Sequence, residues 1–438
     1  MKLPEKPINW KEIFEKELKQ IVVTIEEKDL LKQIVEFNIR YLYWSELKYR
    51  VKDESDKKYI WTFMKWLRLD KYETLMFDSI EIKYSIITDF SRKLHRFDKF
   101  LAGNIEIQSK TLGLQKKYMI SSLMEEAIAS SIIEGASTTR KTAKSMLREK
   151  RKPRTKSEKM IVNNYETMHY IISIKNKKLT PEILLEIQKK VTKDTLEDPD
   201  DEGAFRDNNE IVVGYNNIHE IIAHIPPDYK EIPHLIEELC KFANNNSERF
   251  IHPIIKGIVL HFLIGYIHPF NDGNGRTARS IFYWYILSQG YWLFEYMSLS
   301  RRIVHSRKEY DLAYLYSEYD EMDLTYFIKY NIKCIDESLD DLMDYIKKKQ
   351  TEQEETKKVI HENPDLNLRQ AMILEEFMKN PNKIFTIKEI SETYQVVYQT
   401  ARTDLLLLAS KKFIDKKISG KTFIFSLHEK SPSFSSIK

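Results

Sequence analysis

Most of the 438-residue chain places its apolar residues at helical rather than strand spacing, so the pattern predicts a mostly α-helical fold. Residues 1–114 give several amphipathic helices rich in Trp, Tyr and Lys, an N-terminal helical region packed on the central part of the chain. Within it YLYW, Tyr41 to Trp44, and WTFMKW, Trp61 to Trp66, fit helix core better than a base-stacking surface. SSLMEEAIASSII, Ser121 to Ile133, is good helix-forming sequence, and Gly135 is its stop. The run KGIVLHFLIGYI, Lys256 to Ile267, is apolar almost throughout and predicts a buried helix; TARSIFYWYIL, Thr277 to Leu287, begins another. Strand periodicity appears in GAFRDNNEIVV, Gly203 to Val213, then GYNN, then IHEIIAHIPP up to Pro227, which together predict a hairpin about a polar turn. Two polar stretches interrupt the pattern. REKRKPRTKSEK, Arg148 to Lys159, has seven basic and two acidic side chains around Pro153 and reads as a solvated loop. KKKQTEQEETKK, Lys347 to Lys358, leads to Pro364 as a linker or an exposed helix end, so residues 347–366 separate a region 115–346 from a C-terminal domain, 367–430.

The loop between the two apolar helices carries the chemistry. HPFNDGNGRTAR, His268 to Arg279, puts a base, an acid and a phosphate-sized turn within one dozen residues. Gly273 and Gly275 bracket Asn274, so the backbone is expected to take left-handed angles and turn its N–H groups inward at the positive end of the next helix, where phosphate binds. His268, with a reference pKa of about 6.5, is the candidate general base. Asp272 offers the hard carboxylate oxygen that Mg²⁺ prefers. Arg276 and Arg279 are helical neighbours able to aim guanidinium forks at phosphate oxygens, and Phe270 pins the loop with a buried ring.

At every fixed position this stretch resembles the motif of the Fic family, HxFx(D/E)GN(G/K)RxxR. The resemblance implies that His268 activates a hydroxyl of a target protein, which attacks the α-phosphate of ATP and leaves AMP on a Tyr, Ser or Thr side chain. Gly275 stands where the family's phosphate-transferring branch carries Lys, which favours nucleotidyl over phosphoryl transfer. Upstream, SSIIEG, Ser130 to Gly135, resembles the family's inhibitory motif (S/T)xxxE(G/N); the resemblance implies that Glu134 pairs with Arg279 and keeps the chain largely silent. It also implies that the Gly203–Pro227 hairpin is a flap that docks the target as an added strand, with Gly203 and Arg206 matching the GxxR often found before it. The expected reading is an autoinhibited Fic-type adenylyltransferase using Mg²⁺ and ATP. Two alternatives stand beside it: removal of AMP by the same site, with Glu134 positioning a water, and a DNA-binding regulator whose Fic core acts as a sensor.

Other histidines carry less. His261, inside the apolar helix, fits a hydrogen-bonded core residue, and His219, His224 and His252 show no metal-ligand spacing. In the C-terminal domain, LRQAMILEEFMKN from Leu368, a helix opened by the capping box TIKE at Thr386, and VYQTARTDLLLLASKK from Val397 precede strands FIDKKI and KTFIF about Ser419 and Gly420. Three helices and a wing resemble a winged helix-turn-helix, with Tyr398, Gln399, Arg402 and Thr403 on the third helix and Lys416, Lys417 and Lys421 on the wing. Eleven basic against seven acidic residues from Asn367 to Lys430 is a weak surplus for DNA, so DNA and protein contact both stay open.

Composition adds limits. The net charge of +4 implies no nucleic-acid or membrane partner by itself, and only two cysteines, Cys240 and Cys334, suit a reducing compartment. No signal core or membrane-length run appears, so a cytoplasmic protein is expected; the sequence leaves room for a homodimer.

Overall fold

The computed structural model describes residues 3–102, 116–215, 218–245, 249–362, 365–380, 383–419 and 422–428, and the chain divides into two units, Met1–Leu342 and Met343–Lys438. The first unit begins with four helices: α1 (Trp10–Glu27), α2 (Leu31–Ile39), α3 (Trp44–Arg50) and α4 (Glu54–Arg68). Asn9 and Asp53 accept backbone N–H groups of the first turns of α1 and α4, which fixes where those helices start. Ile21, Ile34, Tyr43 and Trp61 close a core among them. The YLYW cluster is buried, but Tyr41 to Tyr43 form the connection between α2 and α3 rather than a helix, with Tyr41 at φ +51°.

Next in the chain is an antiparallel hairpin that the helical reading missed: β1 (Tyr72–Phe77) and β2 (Ile80–Ser85), with Tyr72 opposite Ser85. Its signal is the alternation of Ile80, Ile82 and Tyr84 with Glu81 and Lys83, which puts Ile82 and Tyr84 in the core. Helix α5 (Thr88–Leu101) completes this region.

The remaining helices of the unit are α6 (Lys116–Ile133), α7 (Arg140–Glu149), α8 (Lys156–Ser173), α9 (Pro181–Thr192), α10 (Ile232–Asn244), α11 (Pro253–Ile267), α12 (Asn274–Ser288), α13 (Leu299–His305), α14 (Arg307–Tyr319) and the first part of α15 (Thr325–Glu362), whose residues from Met343 on belong to the second unit. Every residue of α11 from Ile254 to Ile264 is buried, so this helix is the centre about which the others pack. Thr139, Thr155, Thr180 and Ser298 cap the starts of α7, α8, α9 and α13. Helix α6 is pinned from within. The Glu126 carboxylate, 1% exposed, accepts from Tyr283 Oη at 3.0 Å on α12, and from Ser298 Oγ at 3.0 Å and Ser300 N at 2.9 Å at the start of α13. The N-terminal region grips the turn after α14 in the same manner: Lys65 Nζ lies 2.9 Å from an Asp320 oxygen, and Tyr41 Oη donates to Asp323 at 2.7 Å.

The two polar stretches differ in outcome. The basic run is loop only between Lys150 and Thr155; its ends belong to α7 and α8, and Arg151 pairs with Glu158 at 2.6 Å. The segment from Lys347 takes the second of its two expected forms, a helix end, because α15 continues to Glu362. Pro364 lies outside the described residues.

In the second unit, α16 (Leu368–Lys379), β5 (Phe385–Thr386), α17 (Ile387–Tyr394), α18 (Tyr398–Ser410), β6 (Ile414–Ser419) and β7 (Thr422–Leu427) form three helices and a sheet of order β5-β7-β6. Thr386 and Glu389 make the expected capping box. Strand β5 is the unforeseen element, two residues long and paired as Phe385↔Phe425. Tyr398, Gln399 and Thr403 of α18 are exposed with Arg402 half-buried, and Lys416 and Lys417 are exposed on β6; Gly420, Lys421 and Lys430 fall outside the described residues.

Candidate functional site

The site is built where α11 stops and α12 starts. His268 caps α11 with φ +48°, a left-handed angle unusual for a histidine, and this turns its ring off the helix into a cavity. Arg206, 3% exposed, fixes that corner. Its Nε donates to His268 O at 2.9 Å and its Nη1 to Asn208 O at 2.9 Å, while its own N–H donates to Pro269 O at 3.0 Å. The weak GxxR signal thus marks a residue that holds the histidine loop and the base of the hairpin together. Gln188 of α9 does similar work that no sequence pattern announced, donating to Asp272 O at 3.1 Å and accepting from Gly203 N at 2.6 Å.

The loop is closed by a reciprocal clasp. Phe270 N donates to Asn274 Oδ1 at 3.0 Å, and Asn274 Nδ2 donates to Phe270 O at 2.7 Å. Phe270 is fully buried against Phe205. Gly273 takes the expected left-handed angle, φ +87°, but its N–H is engaged by Asp272 Oδ1. Gly275 departs from expectation. It is helical, the second residue of α12, and what requires glycine there is proximity: a Cβ would stand 2.2 Å from Glu134 Oε1.

Glu134 comes directly after the last residue of α6, with Gly135 at φ +89° leading the chain away. Its Oε1 accepts from Arg279 Nη2 at 2.8 Å; Arg279 also donates from Nε to Ser130 Oγ at 2.8 Å and from Nη2 to Ser130 O at 3.0 Å. Both fixed side chains of the SSIIEG motif therefore meet the second arginine. Burial alone would raise the Glu134 carboxyl, but the adjacent Arg279 guanidinium, helped by Arg276 and Arg307, holds it below the usual carboxylate value.

Glu134, His268, Asn274, Gly275 and Arg279 line one cavity of about 170 Å³, together with Val213 and Gly214 of the hairpin and Tyr310, Asp311 and Tyr314 of α14. Arg276 is not among the lining residues, contrary to its expected role. It is 1% exposed and donates from Nη1 to Val191 O at 2.6 Å, with Nη2 3.3 Å from Asp272 Oδ1, so its fork fastens α12 to the end of α9. The orphan carbonyl at that helix end attracts it, and sequence spacing cannot distinguish a carbonyl from a phosphate oxygen. Asp272 also stands off the cavity lining, its side chain half exposed. Among the described residues no group of three His, Cys, Asp or Glu side chains gathers as a metal site. One accessible carboxylate suits an ion such as Mg²⁺ that takes one or two protein oxygens and fills its other positions with water and phosphate.

His268 has the properties of a base. Its Nδ1 lies 3.3 Å from Gly265 O, which can only accept, so the proton sits on Nδ1 and Nε2 keeps its lone pair. Burial pushes its pKa down to about 4. His261 is the core residue expected, 2% exposed, 3.0 Å from Tyr310 Oη and pushed by burial to about 3. His252 caps α11, and His224, at the end of the hairpin, contacts Tyr266 O at 2.7 Å and Glu318 at 2.9 Å; the side chain of His219 lies outside the described residues. The hairpin is β3 (Val213–Tyr215) and β4 (Ile218–His224), shorter on its first arm than the alternation suggested and irregular in register.

The Fic/DOC family model matches residues 178–286, the stretch that holds the His268–Arg279 loop. Two curated relatives, each called protein adenylyltransferase Fic, are similar at low identity: that of Aedes aegypti, 27% identical over 38% of this chain and 30% of its own length, and that of Culex quinquefasciatus, 28% identical over 38% and 29%. The match thus spans less than a third of either relative. Among solved structures, a Fic family protein from Desulfovibrio desulfuricans G20 superposes with TM-score 0.53 at 16% identity, covering 78% of this chain and 96% of the other. Fic-1 of C. elegans gives TM-score 0.51 at 18% identity, covering 75% and 88%. These likenesses show the fold. Among the described residues no helix is long and apolar enough to cross a membrane.

Proposed function

We propose that the chain is a protein adenylyltransferase held in a silent state by Glu134. The observation that carries this reading is the one cavity lined by His268 and Glu134 together with Asn274, Gly275 and Arg279. Neutral His268 accepts the proton of a target hydroxyl at Nε2 as the hydroxyl oxygen attacks the α-phosphorus of ATP. The bond from the α-phosphorus to the bridging oxygen breaks, pyrophosphate leaves, and AMP remains on the target. Arg279, once free of Glu134, holds terminal phosphate oxygens, and the first N–H groups of α12 serve the others. Asp272 would hold Mg²⁺, which when bound neutralises charge on the polyphosphate. The β3–β4 hairpin at the cavity edge supplies backbone groups for a target segment added as a strand.

The test is incubation of the full chain and a cell lysate with ATP labelled on the α-phosphate. Glu134→Gly removes a contact of roughly 1.5–3 kcal/mol, so labelling should rise tenfold to about a hundredfold. Adding Arg279→Ala should cancel the gain. A folded Glu134→Gly protein that labels nothing more than wild type sinks the reading, and loss of AMP release from a modified target in that variant would turn it toward AMP removal. For the second unit we propose a winged-helix module, supported by the order α16, β5, α17, α18 and the β6–β7 hairpin; the exposed Tyr398, Gln399 and Thr403 make DNA the partner to try first. A mobility shift that weakens with salt tests it.

A further inference from the structure

We infer that Arg307 is a positioning residue for the inhibitory segment, a second anchor that holds Glu134 in the cavity through the main chain of Ile133; this rests on the reading of Glu134 as an inhibitor. The ground is the fate of the last carbonyls of α6, which no helical N–H can satisfy. Ser131 O accepts from the N–H groups of Glu134 at 3.1 Å and Ala136 at 3.0 Å, and Ile132 O from Gly135 at 3.0 Å. The two others go to guanidinium groups. Ser130 O accepts from Arg279 Nη2 at 3.0 Å, and Ile133 O from Arg307 Nη1 at 2.6 Å. Two arginines on two different helices thus grip the carbonyl end of α6 on either side of the turn that presents Glu134.

Within its own helix Arg307 uses only Nε, toward Asp311, and its Nη1 points away from that helix. It is the first residue of α14, where the helix dipole disfavours a cation, and Ser306 before it provides no side-chain cap. Its reach is across to α6, whose negative end welcomes it. Asp311, one turn along, accepts from Arg307 Nε at 2.9 Å and aims the fork. The Asp311 carboxyl is pushed up by burial and held back by Arg307, and its Oδ2 has no partner in the cavity wall. Arg307 also helps keep Glu134 ionised, after Arg279 and Arg276. None of the motif positions includes it, so the family pattern could not point to it.

The experiment compares labelling from ATP in the wild type, Arg307→Met, Glu134→Gly and the double variant of the full chain. Methionine keeps the apolar stem and removes the donors. Arg307→Met should raise labelling about fivefold to tenfold, because one charge-assisted hydrogen bond acts indirectly on the inhibitor. The double variant should equal Glu134→Gly, and Arg307→Lys, which keeps a donor, should lie nearer the wild type. Hydrogen exchange of the Gly135 and Ala136 amides should quicken in Arg307→Met while α11 stays protected. Labelling at or below wild type in Arg307→Met, beside an active Glu134→Gly, overturns the inference; so does an equal fall in both backgrounds, which would make Arg307 a nucleotide contact. Should Glu134→Gly itself stay flat, the inhibitory reading fails, and unchanged exchange at Gly135 and Ala136 separately removes the anchor. If Arg307→Met does not fold, Asp311→Asn must show the same direction in both measurements.

Discussion

Replacing Gly275 by alanine should drive Glu134 off Arg279, and the structure sets the size of the effect. On the present backbone the new Cβ would stand 2.2 Å from Glu134 Oε1 and 2.9 Å from its Cδ. Ordinary contact begins near 3.4 Å, so the carboxylate must retreat by about 1 Å. A 2.8 Å bond to Arg279 stretched by that much leaves hydrogen-bond range. The lost contact is worth about 1.5–3 kcal/mol. Against it stands the helical preference for alanine over glycine, up to about 1 kcal/mol at a position inside α12. The wild-type background should therefore lose roughly 0.5–2 kcal/mol on Gly275→Ala, whereas a Glu134→Gly background, where only the flexible end of Arg279 stands near, its Nη1 at 3.1 Å, should gain up to about 1 kcal/mol. The sign reverses. Thermal unfolding of the four proteins reads it at on the order of 2 °C per kcal/mol. An equal shift of one sign in both backgrounds would refute the claim that Glu134 fills the space before Gly275.

Three further outcomes are expected. His268→Ala should abolish AMP transfer, at least a hundredfold by roughly the worth of a general base, with ATP affinity nearly unchanged by calorimetry; transfer near the Glu134→Gly rate in the paired variant would remove the base assignment. Asp272→Ala should erase the Mg²⁺ dependence of ATP binding, and an unaltered titration would count against it. Both His261 and His268 are held neutral by burial, with values pushed to about 3 and about 4. Their unfolded value is about 6.5, so the unfolded chain binds more protons below it: this contribution to stability is whole above about pH 6.5 and declines as pH falls toward the folded values. The wild-type melting temperature should drop between about pH 7 and pH 5, and a level profile there would contradict neutral buried rings.

What could be seen in the sequence depended on whether the signal was local. The helix–loop–helix around HPFNDGNGRTAR was legible because apolar runs flank a glycine-bearing turn, and the Glu134–Arg279 meeting came through the motif resemblance. Arg276 was not legible, since its partner, Val191 O, is a backbone atom brought near only by folding. Asn274 lines the cavity, and its side chain is committed to both ends of Phe270, a bond pair that spacing alone does not reveal. The β1–β2 hairpin went unread because its first strand, YETLMF, does not alternate, and β5 was too short for any pattern. The end of α15 was obscured because a solvated helix and a linker share a composition.

The buried Glu126 carboxylate has a kinetic meaning. Its donors on α12 and α13 hold α6 in place, so under the proposed inhibition by Glu134 release would have to proceed with that helix in position. The element that would then have to move is one glutamate side chain and a short turn, and such elements move on the nanosecond to microsecond scale rather than the slower scale of domain opening. The proposed function therefore predicts that exchange between blocked and open forms outruns the chemical step, so that the protein behaves as a fast equilibrium mixture. An ion pair of about 1.5–3 kcal/mol leaves roughly one molecule in ten to one in a hundred open at any instant. Basal turnover in such a molecule is a constant low leak, proportional to target concentration, and no lag should precede it.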